Sequence, residues 1–474
     1  MLSAMNVVRA TLTWLVPYAA SVVLTKGVAL ITIPLLTRHL TPADYGALEL
    51  VSSVIEIAAL ILSFSAADLL FRFTGTSNAT EAKQNAAAIA GGALMLSILV
   101  GGALQLVVLL ARPHIEDVID VDMLSIGILC ASFSALIELP LAWLRSRGSA
   151  RTFLIYVSAR ALLQTAMLTL TLTQGYGAFG VIAGNAAVDA IFSLVLLLRQ
   201  YKETSISVDA KLFVRAARYG WPLLGGAIAM FILGNCDRWF LAGAVTKEEL
   251  AHYALAAKIA TIVALSMHPF GLWWNARRMR ILMEPGGYQT SATAITWGFA
   301  CLSIGAIWVA IGVPPLIRIA LPEAYHPAIE WLPWLIVIVA MNETSSLLNV
   351  SAYLGKTARP ALVINASGAA VALAGYILLA PTWGVWGAIA ATIAGHSIRL
   401  LAYVSHGMRH APIPYNWAKM LIIALIALYV TQNTLSYEQS LLQAIFVLFS
   451  SISIVVIALQ SSRGSAISPK PEPA

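Results

Sequence analysis

Apolar residues run along this chain in stretches of about 20 or more, each bounded by charges, proline or glycine; helices of that length cross the hydrocarbon of a bilayer. The pattern predicts 14 such spans: 12–36, 45–69, 85–111, 123–144, 152–173, 178–199, 214–243, 249–274, 289–312, 327–350, 358–380, 384–407, 418–435 and 440–460. The fold class that follows is an all-α polytopic membrane protein. No connection is long enough for a soluble domain, the longest running from Tyr201 to Leu212, and the segment from Ser461 ends as a Pro-rich tail.

A second pattern is superimposed on the first. Gly175–Ala183 (Gly-Tyr-Gly-Ala-Phe-Gly-Val-Ile-Ala) matches Thr382–Ala390 (Thr-Trp-Gly-Val-Trp-Gly-Ala-Ile-Ala) at an offset of 207, and Gly148 pairs with Gly355 at the same offset. At 205, Ala47-Leu48-Glu49-Leu50 pairs with His252-Tyr253-Ala254-Leu255. Each copy holds six spans, an even number, so the copies sit the same way up and form a parallel repeat of the kind whose halves rock about a central site. Chance matching of Gly- and Ala-rich segments is the competing explanation. The predicted organisation is a six-helix lobe over 1–200, a linker over 201–212, a second lobe over 213–410, two further helices over 411–460 and a tail over 461–474.

Composition agrees and narrows the class. The 474 residues are 59% hydrophobic and only 11% charged, with a mean hydropathy of +0.82. A soluble domain carries about 25% charge, so a soluble enzyme is excluded. Cys130, Cys236 and Cys301 all lie in apolar segments and suggest neither a disulfide framework nor a metal site. Lys and Arg orient the chain: with the N-terminus in the cytoplasm, 20 of the 29 fall in cytoplasmic segments, and only Arg38, Arg112, Lys247 and Arg318 face outward. Both termini are therefore expected in the cytoplasm.

The stretch Ile33-Pro34-Leu35-Leu36-Thr37-Arg38-His39-Leu40-Thr41-Pro42-Ala43-Asp44-Tyr45-Gly46 resembles the signature of polysaccharide transporters, the Wzx-type flippases of the multidrug/oligosaccharidyl-lipid/polysaccharide exporter superfamily. Asn235-Cys236-Asp237-Arg238-Trp239-Phe240 and the Gly-x-x-Gly-x-Ile-Ala start of spans 6 and 12 are also similar to that family. The resemblance covers about residues 10–410, and spans 13 and 14 lie beyond its usual twelve-span core. It implies transfer of a polyprenyl-pyrophosphate-linked oligosaccharide from the cytoplasmic to the outer leaflet of a bacterial inner membrane, for surface polysaccharide biosynthesis. Its implied partners are that lipid-linked cargo, membrane lipid and polysaccharide assembly proteins, with no nucleic acid. No cofactor or metal is expected, and H⁺ or Na⁺ could drive the step.

Such a cargo brings two negative charges and many hydroxyls across about 30 Å of hydrocarbon. The chain holds matching groups inside its spans: Lys26, Arg160, Arg238, Lys258 and Arg399. Each costs at least a few kcal/mol there and should face protein or water. Substrate binding and structural pairing or snorkelling are both open for them, and for Arg238 the adjacent Asp237 makes pairing nearly as good a reading. Thr392, His396, Arg399 and Tyr403 form one polar stripe on span 12, and Asn185, Asp189 and Ser193 a second on span 6; a stripe can line a lumen or glue helices together. Carboxylates at Glu49, Glu56, Glu138, Asp189, Asp237 and Glu343 supply candidates for ion coupling, chiefly Glu49, Glu56, Asp189 and Asp237, with charge neutralisation, as of Lys26 by Glu56, the alternative. Trp383 and Trp386 are expected at the outer interface; Trp273 and Trp274, followed by Arg277, Arg278 and Arg280, at the inner one, where the arginines could attract an anionic lipid.

Two rival functions remain. A drug or organic-cation antiporter of the same superfamily would favour carboxylates and aromatics over bases. A membrane glycosyltransferase or polymerase would draw on Glu116, Asp117, Asp120 and Asp122 in an outer loop, but a loop that short offers no acceptor domain, and a non-enzyme is favoured.

Overall fold

The computed structural model describes residues 24, 27, 28, 31–74, 79–116, 120–354, 359–433 and 441–464. Most of span 1, with Lys26, lies outside them, as do Asp117, Gly355 and the tail beyond 464; so do the side chains of Trp273, Arg277 and Arg280. The described chain is helical, with no strand. The all-α polytopic fold read from the hydrophobic pattern is what forms.

A helix over 31–39, α1, leads into α2 (Pro42–Ser63) and α3 (Ala66–Thr74). There follow α4 (Ala79–Ile115), α5 (Val121–Ser146), α6 (Ala150–Thr173) and α7 (Gly177–Thr204). The second half begins with α8 (Ala210–Gly234), α9 (Asp237–Ala242), α10 (Lys247–Ala260) and α11 (Ile262–Met283). It continues with α12 (Gly287–Ala320), α13 (Ala328–Leu348), α14 (Arg359–His410), α15 (Trp417–Asn433) and α16 (Leu441–Gly464). Ten helical stretches among the described residues are long and apolar enough to cross a membrane, and one of them, α14, is two spans joined at Gly384.

Local chemistry explains the boundaries. Thr41 caps α2, its hydroxyl accepting from the Asp44 amide at 3.2 Å, with Pro42 in the first helical turn, where its missing N–H costs nothing. Thr246 repeats the device before α10, accepting from the Glu249 amide at 3.1 Å, again at an offset of 205. Spans 2, 7 and 8, each expected as one run, are broken helices: at Phe64-Ser65, both with positive φ (45° and 54°), at Asn235-Cys236, and at Thr261. Hydropathy alone does not register such breaks, because it averages over a window far longer than the one or two residues that bend the backbone there.

Contacts divide the chain into two units. Unit 1 runs to Phe231 and includes Thr246–Ala251; unit 2 holds Ile232–Val245 and the chain from His252. In unit 1, α5 packs against α2, α4 and α7, and α6 packs on α7. In unit 2, α12 packs against α11, α13, α15 and α16, and α14 against α13 and α9. In unit 1, buried small residues such as Ala86, Ala88, Ala90 and Ala142 cluster with Trp143, as expected where helices meet by close packing rather than by escaping water. The lipid-sized remainder is outward-facing Leu and Ile, such as Ile155, Leu162 and Leu170 on α6.

Candidate functional site

Each unit contains a helical hairpin whose arms meet around an arginine. In unit 1 the arms are α6 and α7, joined at Gln174-Gly175-Tyr176, and Gly177 starts α7 with φ 58°. In unit 2 they are the two halves of α14, and Gly384 turns between them with φ 54° and ψ −132°, a region nearly closed to other residues. These two glycines are one of the pairs matched at offset 207, so the sequence match marks a shared backbone job.

In unit 1, Arg160 stands ten residues into α6, about 15 Å along its axis and so near the middle of the hydrocarbon. The expected span 152–173 puts it eight residues in, and the helix starting at Ala150 sets it two residues further inward. Its guanidinium forms a two-pronged ion pair with Asp189 of α7, Nε to Oδ1 and Nη2 to Oδ2 both at 2.7 Å. Ser134 of α5 donates to Asp189 at 2.5 Å and accepts from Arg160 at 2.9 Å, and Gln164 donates to Asp189 at 3.0 Å. Asp189 is buried, and every lone pair has a donor nearby. Such a pair is self-neutralising.

In unit 2, Gly368 and Gly395 bring the two arms of α14 into backbone contact; a Cβ on either would lie 2.8 Å from the other's carbonyl oxygen. That approach delivers Arg399 to Asn365. Nε of Arg399 donates to Asn365 Oδ1 at 2.9 Å, Nη1 donates to Asn342 Oδ1 of α13 at 2.7 Å, and Tyr403 also donates to Asn365 at 2.9 Å. Arg399 is 3% exposed and, among the described residues, has no carboxylate within 4.0 Å. The Asn342 amide stands between it and Glu343, donating to that carboxylate at 3.3 Å.

On the same face, His396 is buried one turn away, and two turns away Thr392 bonds Tyr376 at 2.8 Å. The span-12 stripe therefore directs its hydrogen bonds onto neighbouring helices. Nearby, the break between α8 and α9 gathers Asn235, Asp237 and Arg238: Arg238 donates to Asn235 Oδ1 at 2.6 Å, and Asp237 accepts from Tyr253 of α10 and, at 2.9 Å, from the Arg238 amide. A carboxylate at a discontinuous helix, held by a phenol, is an arrangement able to exchange a proton or a cation.

The remaining candidates are not gathered with these. Lys258 is half-buried at the end of α10, its carbonyl accepting from Thr261 at the break. Glu49 is buried within α2 while Glu56, two turns on, is exposed. Glu138 lies 3.7 Å from Arg145. Trp386 packs edge-on against Trp331 at 5.2 Å between ring centres, and Trp383 is exposed. Sequence reasoning missed Ser134, Gln164, Asn342 and Asn365. The rule that singled out charges in apolar spans, extended to amides, would have found three of them.

The family model described as polysaccharide biosynthesis protein matches residues 15–272, more than half of the chain. The chain belongs to that family. No curated protein matches its sequence. Among solved structures, lipid II flippase MurJ in an inward closed conformation is similar with a TM-score of 0.70 over 95% of this chain and 100% of that one, at 11% identity. An inward-facing multidrug resistance MATE family transporter of the MOP superfamily gives 0.59 over 82% and 94%, at 15% identity. A MOP superfamily transporter from Pyrococcus furiosus gives 0.50 over 83% and 95%, at 14% identity. At such identities the likeness is one of fold: this polysaccharide biosynthesis protein folds as MOP-superfamily transporters do, and the family resemblance read from its motifs is borne out.

Proposed function

We propose that this polysaccharide biosynthesis protein is a flippase that carries a polyprenyl-pyrophosphate-linked oligosaccharide from the cytoplasmic to the outer leaflet by alternating access of two lobes, 1–200 and 213–410. The observation that carries the reading is Arg399, a buried cation held by two amide carbonyls with no carboxylate within 4.0 Å among the described residues. A charge in hydrocarbon whose acid neighbour, Glu343, is set back behind an amide is costly, and an anionic pyrophosphate is a partner that would repay the cost during passage. Lys26, Arg160, Arg238, Lys258 and His396 complete the proposed cargo-binding set.

Coupling to H⁺ or Na⁺ runs in this reading through carboxylates that can change partners, among Glu49, Glu56, Asp189 and Asp237. Asp237, bound by a phenol rather than by an arginine fork, is the best placed. Cytoplasmic termini are the setting implied by the distribution of Lys and Arg, and a bacterial inner membrane the one implied by the family resemblance.

Reconstitution in liposomes with defined polyprenyl-pyrophosphate glycans tests the proposal: glycan should become accessible at the far leaflet, and far more slowly with Arg399→Gln. Equal rates in protein-free liposomes and with the wild type would refute it, and movement of an organic cation instead would favour an antiporter.

A further inference from the structure

The Arg160–Asp189 pair forms one wall of a cavity of about 330 Å³ inside unit 1. Its polar lining comes from Thr32, Arg160, Gln164, Thr165 and Asn185, set among Val28, Leu141, Val157, Ala161 and Leu168. The volume is room for about ten waters and falls in the range of small-ligand sites. Asn185 lies eight residues into α7, about 12 Å along its axis, so the cavity sits at a depth where lipid offers polar groups nothing.

Its chemistry is that of a neutral, hydrogen-bonding ligand. Asp189 cancels the charge of Arg160, so among the described residues the lining has no net charge to offer a pyrophosphate. It offers donors and acceptors in alternation instead. Among the described residues the half-buried Asn185 amide makes no side-chain hydrogen bond, Gln164 spends its N–H on Asp189 and keeps its carbonyl, and Arg160 commits Nε and Nη2 while Nη1 makes none. Hydroxyls of a sugar ring both give and accept hydrogen bonds and need such a mixed set. Hydrocarbon tails would leave these groups unsatisfied.

We infer that this cavity binds a sugar of the cargo's glycan, while the pyrophosphate is met by bases elsewhere in the chain, Arg399 among them. The inference rests on the flippase reading for the identity of its ligand. It separates the recognition of sugar from the recognition of charge, and makes Asn185, Gln164 and Thr165 determinants of which glycan is accepted.

Equilibrium binding to the purified full chain in nanodiscs, with two probes, tests it: polyprenyl pyrophosphate carrying a short neutral oligosaccharide, and polyprenyl pyrophosphate without sugar. Wild type should bind the glycosylated probe about tenfold more tightly, the worth of one or two hydrogen bonds. Asn185→Leu should remove that advantage, and the near-isosteric Thr165→Val, which spares the packing, should reduce it at least threefold. Arg399→Gln should weaken both probes and leave the advantage intact. Equal binding of the two probes by wild type, as for a cavity that merely holds water around the ion pair, overturns the inference, as does an advantage unchanged in both Asn185→Leu and Thr165→Val. A sugar advantage in nanodiscs without transfer in liposomes would overturn the flippase reading and leave the sugar site standing.

Discussion

The two hairpins share a turn glycine and an arginine in mid-span, yet they treat that arginine in opposite ways. In unit 1 the base is on the first arm, and a carboxylate on the second arm, Asp189, neutralises it at 2.7 Å. In unit 2 the base is on the second arm, and the first arm supplies an amide, Asn365. At offset 207 the position of Asp189 is occupied by His396, so the acid that could have quenched Arg399 is absent from the matching site. The same scaffold thus yields an ion pair in one unit and a buried arginine held by amide carbonyls in the other. The difference follows from a few side chains on a common backbone, and it argues that an intramembrane charge is judged by its partner and not by its depth.

The strongest way to break this contrast is to remove the acid. Asp189→Ala leaves the half-buried Arg160 without its counter-ion and should destabilise the protein by about 3 kcal/mol, seen as a large fall in melting temperature in detergent. Combining it with Arg160→Met should restore most of the loss, since a self-neutralising pair can be replaced by apolar groups. A melting temperature unmoved by Asp189→Ala would show that the pair is not what holds α6 on α7.

Backbone substitutions come next. Gly368→Ala places a methyl 2.8 Å from the Gly395 oxygen and 2.9 Å from Arg399 Cβ, forcing the arms apart. A cost of about 1–3 kcal/mol is expected, with loss of export, because the Asn365 contact goes with it. Gly384→Ala, at φ 54° and ψ −132°, should cost a similar 1–3 kcal/mol through backbone strain alone. Export retained by Gly368→Ala would separate the seating of Arg399 from its use.

Smaller effects complete the series. Thr41→Ala and Thr246→Ala each remove one cap and should cost about 1 kcal/mol apiece, equal losses being the signature of a shared device. Arg399→Gln should cost about 1–3 kcal/mol, less than Asp189→Ala, since it strands amide carbonyls and no directly paired carboxylate, while cutting glycan export at least tenfold. A destabilisation as large as that of Asp189→Ala would mean the two arginines do the same structural work.

Much of this was legible in the chain. Apolar runs gave every span that falls on described residues, because hydrocarbon thickness sets helix length and backbone polarity forbids other solutions. The glycine match at 207 located both hairpin turns, since only glycine takes those φ values cheaply. The charges of interest were also visible, being expensive wherever they fall in a span. Their partners were not. Arg160 and Asp189 are 29 residues apart, Arg399 and Asn342 57, and no periodicity within one helix says which face of another it will meet. Helix breaks at Phe64 and Asn235 escaped for a related reason: hydropathy averages over a window and is blind to a turn of one or two residues.

The sequence by itself therefore determined the class, the apolar stretches that span on the described residues and the inventory of costly polar groups, because those depend on the transfer of each residue from water to lipid. Only the tertiary structure decided which arginine is quenched and which is not. That depends on side chains of three helices converging within 3 Å, and the approach of Gly368 to Gly395 which permits it is set by packing rather than by composition.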